Sequence, residues 1–158
     1  HEAKINNTPQ VEIWGSGKPR REFLYSEDMA DACVFILENR DFEDIIKEDL
    51  ALQGELSSAQ ERDHLGGNAD IPVAKAKVGY RNTHINIGTG IDISINELAL
   101  TIKNIVGYNG ELYFNDNKPD GTMIKLTNSS KLHNLGWKHK VELEDGIRTI
   151  YEWYLAND

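Results

Sequence analysis

The sequence predicts a mixed α/β fold, with α+β character, in a single domain over residues 1–158. Three observations lead to this prediction. Short runs rich in β-branched and aromatic residues alternate with longer segments of helical periodicity. No internal repeat interrupts the alternation. Hydrophobic residues make up 39% of the 158 residues, which is enough for one sizeable core.

The first predicted elements are two short strands, Val11–Trp14 and Glu22–Tyr25, on either side of a loop at Gly15–Arg20. The loop contains Gly-Ser-Gly and a proline, which are turn signals. If the two strands pair as a hairpin, the side chains of Trp14 and Arg21 lie near the same end of it.

A helix is predicted from an N-cap at Ser26 to about Glu38, with acidic residues in its first turn, where the helix dipole favours them. Its apolar residues nearly encircle it, so we expect a mostly buried helix. These residues are Met29, Ala30, Ala32, Cys33, Val34, Phe35, Ile36 and Leu37.

Residues 40–82 change in character, because they are charged and contain scattered glycines. We predict a variable surface insertion here, with one or two helical turns between Phe42 and Leu56.

Strands and helices alternate again in the second half of the chain. Ser94 and Glu97 form a capping-box pattern, and Gly107 is expected to end the helix that follows. The other predicted elements are strands at His84–Gly88 and Glu111–Phe114, a short helix at Ser129–Leu135, and a last helix at Leu143–Leu155 that buries Ile147, Ile150, Tyr151 and Tyr154.

Charge and composition exclude several classes of partner. A net charge of −9 argues against general binding to nucleic acid or to an anionic membrane. With Cys33 as the only cysteine, no internal disulfide can form, and no apolar run is long enough to span a bilayer. We expect a cytoplasmic protein. Because the chain starts at His1 without a methionine, we also expect it to be a piece of a longer one.

Trp14 and Arg21 are the first candidate ligand residues. An indole can stack on a flat ring, and an arginine can grip a diphosphate with two hydrogen bonds. The alternative interpretation is that Trp14 is a core aromatic residue and that Arg20 and Arg21 are merely solvated.

Two further motifs each allow two interpretations. Gly88-Thr-Gly90 resembles a dinucleotide-binding loop but lacks the third glycine of that fingerprint, so a bend is favoured over a phosphate cradle. Lys118-Pro-Asp-Gly121 is a turn signature, and Asp120 at its tip could also accept hydrogen bonds from ligand hydroxyls. The five histidines show no metal-ligand spacing, and these residues alone assemble no catalytic centre.

Five motifs in order carry a family resemblance. They are Trp14-Gly-Ser-Gly followed by Arg21-Glu-Phe-Leu, the Asp28-Met-Ala-Asp-Ala32 helix, His84-Ile-Asn-Ile-Gly-Thr-Gly90, Lys118-Pro-Asp-Gly-Thr122 and Leu132-His-Asn-Leu-Gly-Trp137. Together they resemble the C-terminal part of the GDP-L-fucose synthase family, which belongs to the extended short-chain dehydrogenases/reductases. The match covers nearly everything except residues 40–82.

The resemblance implies that this chain is a substrate-binding domain and that the catalytic parts lie elsewhere. Enzymes of the family have an N-terminal Rossmann domain that binds NADP(H) and carries the catalytic serine, the Tyr-x-x-x-Lys pair, and the cysteine and histidine used for epimerisation. None of those motifs is present here, so we expect the chain alone to be inactive and to bind no cofactor. The parent is expected to be a homodimer.

By the same resemblance, Trp14, Arg21 and Asp120 match substrate-binding positions. Arg21 would hold the GDP phosphates, while Trp14 and Asp120 would shape the site for flat or hydroxyl-bearing parts of a GDP-sugar. One departure is that Ile124 stands where the family often has arginine, and Lys125 could substitute in part. Another sugar-nucleotide epimerase or dehydratase, and a non-catalytic binding domain, remain the alternatives.

Overall fold

A computed structural model describes residues 1–46 and 83–157 of the chain. The helices are α1 (Glu2–Ile5), α2 (Ser26–Asn39), α3 (Ile95–Val106), α4 (Ser130–Asn134) and α5 (Leu143–Asn157). The strands are β1 (Gln10–Trp14), β2 (Arg20–Glu22), β3 (Asp92–Ser94), β4 (Glu111–Asn115) and β5 (Ile124–Lys125). Residues 42–46 are also helical. The predicted mixture of helices and short strands is confirmed.

The strands form two small sheets, and the predicted hairpin is wrong. β1 pairs in parallel with β4, whereas β2 lies between β3, which is antiparallel to it, and β5, which is parallel. The connecting loop turns the chain away from β1 because its carbonyls bind the start of α3. Ile95 donates its N–H to the Pro19 carbonyl at 3.0 Å, and Asn96 donates to the Gly17 carbonyl at 2.9 Å.

The predicted caps of α3 are confirmed. The Ser94 hydroxyl accepts the Glu97 N–H at 3.1 Å, and the Glu97 carboxylate accepts the Ser94 N–H at 3.0 Å. Gly107 ends the helix with φ of 69°, a left-handed conformation that glycine adopts without a steric penalty.

The predicted strand at His84–Gly88 is wrong, since residues 83–87 form no strand. The antiparallel partner of β2 is instead β3, with Arg21 opposite Ile93. The side chains of Ile85 and Ile87 are half-buried, although the segment that contains them forms no strand. β5 was also not expected, because two residues carry no periodic signal.

Part of the buried core lies in α2, in α4 and in the residues after α4, which are hydrogen-bonded to α2. Leu132 and Ala32 are fully buried, and Trp137 is 3% exposed. The Trp137 indole donates to the Asp31 carboxylate at 2.9 Å. Asp28, which is also buried, accepts the backbone N–H groups of Lys140 and Val141 at 3.0 and 2.9 Å. The helices predicted at Ser129–Leu135 and Leu143–Leu155 are confirmed as α4 and α5.

Two predictions of burial are wrong. In α2, Met29, Val34 and Leu37 are 49%, 51% and 84% exposed, because the buried contacts of this helix are made on the side of Asp28 and Ala32. In α5, Ile150 is 56% exposed, whereas Ile147, Tyr151 and Tyr154 are half-buried.

The chain divides into two compact units, one of residues 1–33 and 86–158 and the other of residues 34–85. The prediction of one domain with an insertion stays a prediction, and most of the predicted insertion lies outside the described residues. The helical turn predicted after Phe42 is present at residues 42–46. Among the described residues, no helix is long and apolar enough to span a membrane.

Glu22 connects three segments of the first unit. Its carboxylate accepts the N–H of Gly90 at 2.6 Å, the N–H of Thr127 at 3.1 Å and the Thr89 hydroxyl at 3.2 Å. Burial alone would raise the pKa of Glu22, but these hydrogen bonds outweigh it and hold the pKa below its ordinary value of 4.5.

We predict that Ser94→Ala lowers the free energy of unfolding by about 1 kcal/mol, because the N–H of Glu97 loses its acceptor at the start of α3. Ser94→Thr is the matched control, since threonine also caps helices. Urea unfolding followed by circular dichroism measures both. Equal losses in the two variants would contradict the capping role.

We predict that Glu22→Gln destabilises the fold by about 1–3 kcal/mol at pH 7, because the amide cannot accept all three hydrogen bonds. The folded-state pKa of Glu22 is depressed, so its stabilisation is complete above the unfolded-state value and is lost as the pH falls through the folded-state value.

The difference in unfolding free energy between wild type and Glu22→Gln should therefore shrink as the pH falls from the ordinary glutamate pKa of 4.5 through the lower folded-state pKa. Glu152→Gln, at an exposed position on α5, is the control and should show no such trend. A difference that is constant with pH would refute the role of the Glu22 charge.

Candidate functional site

The loop after β1 and the turn after β4 lie side by side. β1 and β4 are parallel neighbours, so their carboxyl ends meet at one edge, with Trp14 opposite Asn115. The Gly15 N–H donates to the Asn115 carbonyl at 3.1 Å and continues the pairing into the loop. Two of the three predicted ligand residues lie in these segments: Trp14 ends β1, and Asp120 is in the turn after β4.

Asp120 is fixed by Ser16. One carboxylate oxygen accepts the Ser16 N–H at 2.8 Å and the other accepts the Ser16 hydroxyl at 2.6 Å. Gly15 permits this approach, because its φ is 87° and a side chain there would collide with Asp120. The Ser16 hydrogen bonds hold the pKa of Asp120 below its ordinary value. Each oxygen keeps a lone pair that could accept a ligand hydroxyl.

Trp14 is a surface residue, with 71% of its area exposed, so the alternative of a core aromatic is wrong. The Lys118 ammonium lies 5.0 Å from the centroid of its ring, within the range of a cation–π interaction. A ligand ring could stack on the indole beside this cation.

Arg21 is held by one nitrogen and open at the other edge. Nη1 donates to the carbonyls of Arg20 at 2.7 Å and of Thr122 at 2.6 Å. Among the described residues, Nε and Nη2 have no hydrogen-bond acceptor. The guanidinium is therefore oriented before any ligand arrives, and its Nε–Nη2 edge can bind an anion with two parallel hydrogen bonds.

Arg20 differs from Arg21 in having carboxylates as side-chain partners. Its Nε donates to the Asp92 carboxylate at 2.8 Å, and its Nη1 lies 3.4 Å from the Glu97 carboxylate. These contacts join β2 to β3 and to the start of α3. Arg20 is thus not simply solvated, and the two adjacent arginines have different partners.

Residues 118–122, which we call the 118–122 turn, contact all three predicted ligand positions or their neighbours. Lys118 covers Trp14, Asp120 binds Ser16, and the Thr122 carbonyl holds Arg21. The three predicted residues therefore converge on one turn, although the hairpin that was expected to bring two of them together does not exist.

Gly88-Thr-Gly90 is unsuited to the diphosphate of a dinucleotide. The Gly90 N–H already donates to the Glu22 carboxylate, and a side chain at Gly88 would collide with that same carboxylate. A carboxylate at this place repels phosphate. This geometry supports the bend interpretation, and the described residues do not fit an NADP(H) site at this loop.

A cavity of about 540 Å³ lies beside this bend, between Thr89–Gly90 and the segment Leu126–Ser130. A second cavity of about 260 Å³ is lined by Arg20, Asp92 and His139 among others. Neither is lined by the three predicted ligand residues, which form an open edge. No group of three metal-binding side chains occurs within residues 1–46 and 83–157.

The sequence alone indicates no separate role for Ser16, Lys118 or the Thr122 carbonyl. Ser16 and Lys118 were visible as members of the Trp-Gly-Ser-Gly and Lys-Pro-Asp-Gly motifs. That they face one another across two loops depends on the β1–β4 pairing, which a single sequence does not display.

Comparisons with known proteins agree with the resemblance described above. Residues 1–47 match the NAD dependent epimerase/dehydratase family. The chain is 40% identical to GDP-L-fucose synthase of Escherichia coli and 40% identical to GDP-L-fucose synthase 1 of Arabidopsis thaliana, in each case over 99% of its length. It spans 40% and 36% of the lengths of these two relatives.

One solved structure has a similar fold. It is GDP-mannoheptose C4 reductase from Campylobacter jejuni with NADP bound, and it matches with a TM-score of 0.68 and 43% identity. The alignment covers 98% of this chain and 39% of the reductase. This chain is a homologue of the GDP-L-fucose synthases and shares the fold of the extended short-chain epimerases and reductases.

Proposed function

We propose that this chain is the GDP-sugar-binding domain of a GDP-L-fucose synthase. The observation that carries the proposal is the state of Arg21, whose Nη1 is anchored to two carbonyls while its Nε–Nη2 edge is open beside the 118–122 turn. An oriented guanidinium with a free edge suits a diphosphate, and the identity to two GDP-L-fucose synthases supplies the ligand class.

Each residue of the site then has a separate task. Arg21 binds the GDP phosphates, Trp14 stacks on a flat ring of the ligand, and Asp120 accepts hydrogen bonds from hydroxyl groups. Lys125 supports this assignment, because it lies in register with Arg21 on the neighbouring parallel strand. A second cation there can compensate for Ile124, which replaces the arginine common in the family.

The parent enzyme, in this proposal, converts GDP-4-keto-6-deoxy-D-mannose to GDP-L-fucose. Epimerisation at C3 and C5 is followed by NADPH-dependent reduction of the ketone at C4. The groups that catalyse these steps, and the NADP(H) site, are assigned to an N-terminal Rossmann domain of the parent. A cytoplasmic homodimer belongs to the same proposal. The coverage of 36% and 40% of the relatives supports this division of tasks.

A second candidate is a reductase that acts on a GDP-heptose. The 43% identity to the GDP-mannoheptose C4 reductase is as high as the identity to the fucose synthases. The guanosine diphosphate is common to both candidates, so the site around Arg21 serves either one. The sugar distinguishes them. A non-catalytic GDP-sugar-binding domain is the remaining alternative.

We predict that the 158-residue chain alone does not oxidise NADPH in the presence of GDP-4-keto-6-deoxymannose, whereas the complete parent protein does. The reason is that the chain lacks the Tyr-x-x-x-Lys pair. Absorbance at the wavelength of NADPH measures the reaction. Turnover by the chain alone would contradict the division of tasks, and turnover by the parent of only a keto-heptose substrate would favour the second candidate.

We predict that Arg21→Lys weakens binding of GDP about tenfold, because an ammonium is a point charge that cannot form two parallel hydrogen bonds. A GDP titration of the chain, followed by the Trp14 indole N–H resonance, gives the dissociation constant. Arg148→Lys is the control, since Arg148 pairs with Glu144 on α5, and it should bind as wild type does. Unchanged affinity in Arg21→Lys would exclude Arg21 from the site.

A further inference from the structure

Gly121 borders the open edge of Arg21. A Cβ atom at position 121 would lie 3.1 Å from Nη2 of Arg21. That separation is only slightly longer than the 2.7–2.9 Å typical of an N–H group bonded to a charged oxygen. A side chain at this position would therefore compete for the space in which an anion must approach Nη2.

The backbone does not explain why glycine is present here. Gly121 is not among the glycines with positive φ, which are Gly15, Gly17, Gly90, Gly107 and Gly136. Its φ therefore does not require glycine. Apart from its chain neighbours, no other atom of the residues that the structure describes lies within 4 Å of this Cβ. The group that an added methyl group would crowd is thus Nη2 of Arg21, one of the two nitrogens of the open edge.

The charges around this space favour an anion. Arg21 and Lys125 lie in register on neighbouring strands, and Lys118 lies at the start of the 118–122 turn. Asp120 is the negative group in the turn, and both of its oxygens are directed to Ser16 by hydrogen bonds. Arg21, with Lys125 at the paired position of the neighbouring strand, gives this face a positive charge that suits a phosphate.

We propose that Gly121 is a specificity-determining residue, which keeps the Nε–Nη2 edge of Arg21 open so that a phosphate group of a nucleoside diphosphate can bind it. The inference rests on the proposed function, because it takes Arg21 as the phosphate ligand. The effect of Gly121 is steric: because it has no side chain, there is room for two parallel hydrogen bonds between the guanidinium and the phosphate oxygens.

The test compares Gly121→Ala and Gly121→Val in the 158-residue chain, with GDP and guanosine as the probes. We expect Gly121→Ala to weaken GDP binding about tenfold and Gly121→Val to weaken it further, because each methyl group narrows the approach to Nη2. Guanosine, which has no phosphate, should bind all variants alike. Asn117→Ala is the control. Asn117 is exposed and lies three residues before Asp120, and its replacement should alter the affinity for neither GDP nor guanosine.

The outcomes separate this inference from the proposed function. If Arg21→Lys weakens GDP binding and Gly121→Ala does not, the role of Gly121 is overturned while the phosphate role of Arg21 stands. If Gly121→Ala weakens GDP and guanosine equally, the glycine affects the whole site and the inference is also overturned. If wild type does not bind GDP, or if Arg21→Lys binds it unchanged, the proposed function fails and the inference fails with it.

Discussion

The three-residue strand β2 is the constraint on which the rest of the first unit depends. It lies in the middle of its sheet, and each of its side chains holds a different segment. Arg20 binds Asp92 in β3, Arg21 binds the Thr122 carbonyl ahead of β5, and Glu22 binds Gly90 and Thr127. Charged side chains in a central strand require partners, because leaving a charge desolvated and unpaired is costly. Here those partners define the fold around the strand.

The candidate site also depends on the partners of β2. The 118–122 turn is held on one side by Ser16, after β1, and on the other by Arg21, in β2. These two attachments belong to different sheets, so the turn bridges them. A ligand bound there would meet side chains that are already oriented, which would reduce the entropy lost on binding. The exposure of Trp14 leaves its ring accessible for such a ligand.

The elements with local signals were predictable, and those defined by pairing were not. The capping box at Ser94 and the glycine end at Gly107 depend on contacts within four residues, and both were found from the sequence. The hairpin and the strand at His84–Gly88 were wrong, because the partner of a strand lies far away in the chain. Burial of α2 was overestimated for a related reason: apolar periodicity shows which side chains could be buried, and only packing shows which ones are.

The same distinction between local signals and distant contacts applies to the candidate site. The sequence by itself determined the residue types and their motifs, namely Trp14, Arg21 and Asp120, together with the family that they resemble. Only the tertiary structure decided that Arg21 is anchored by Nη1 and open at its other edge, and that Ser16 orients Asp120. The physical reason is range: motifs and caps are set by neighbours in the chain, whereas the orientation of a guanidinium or a carboxylate depends on partners about a hundred residues away.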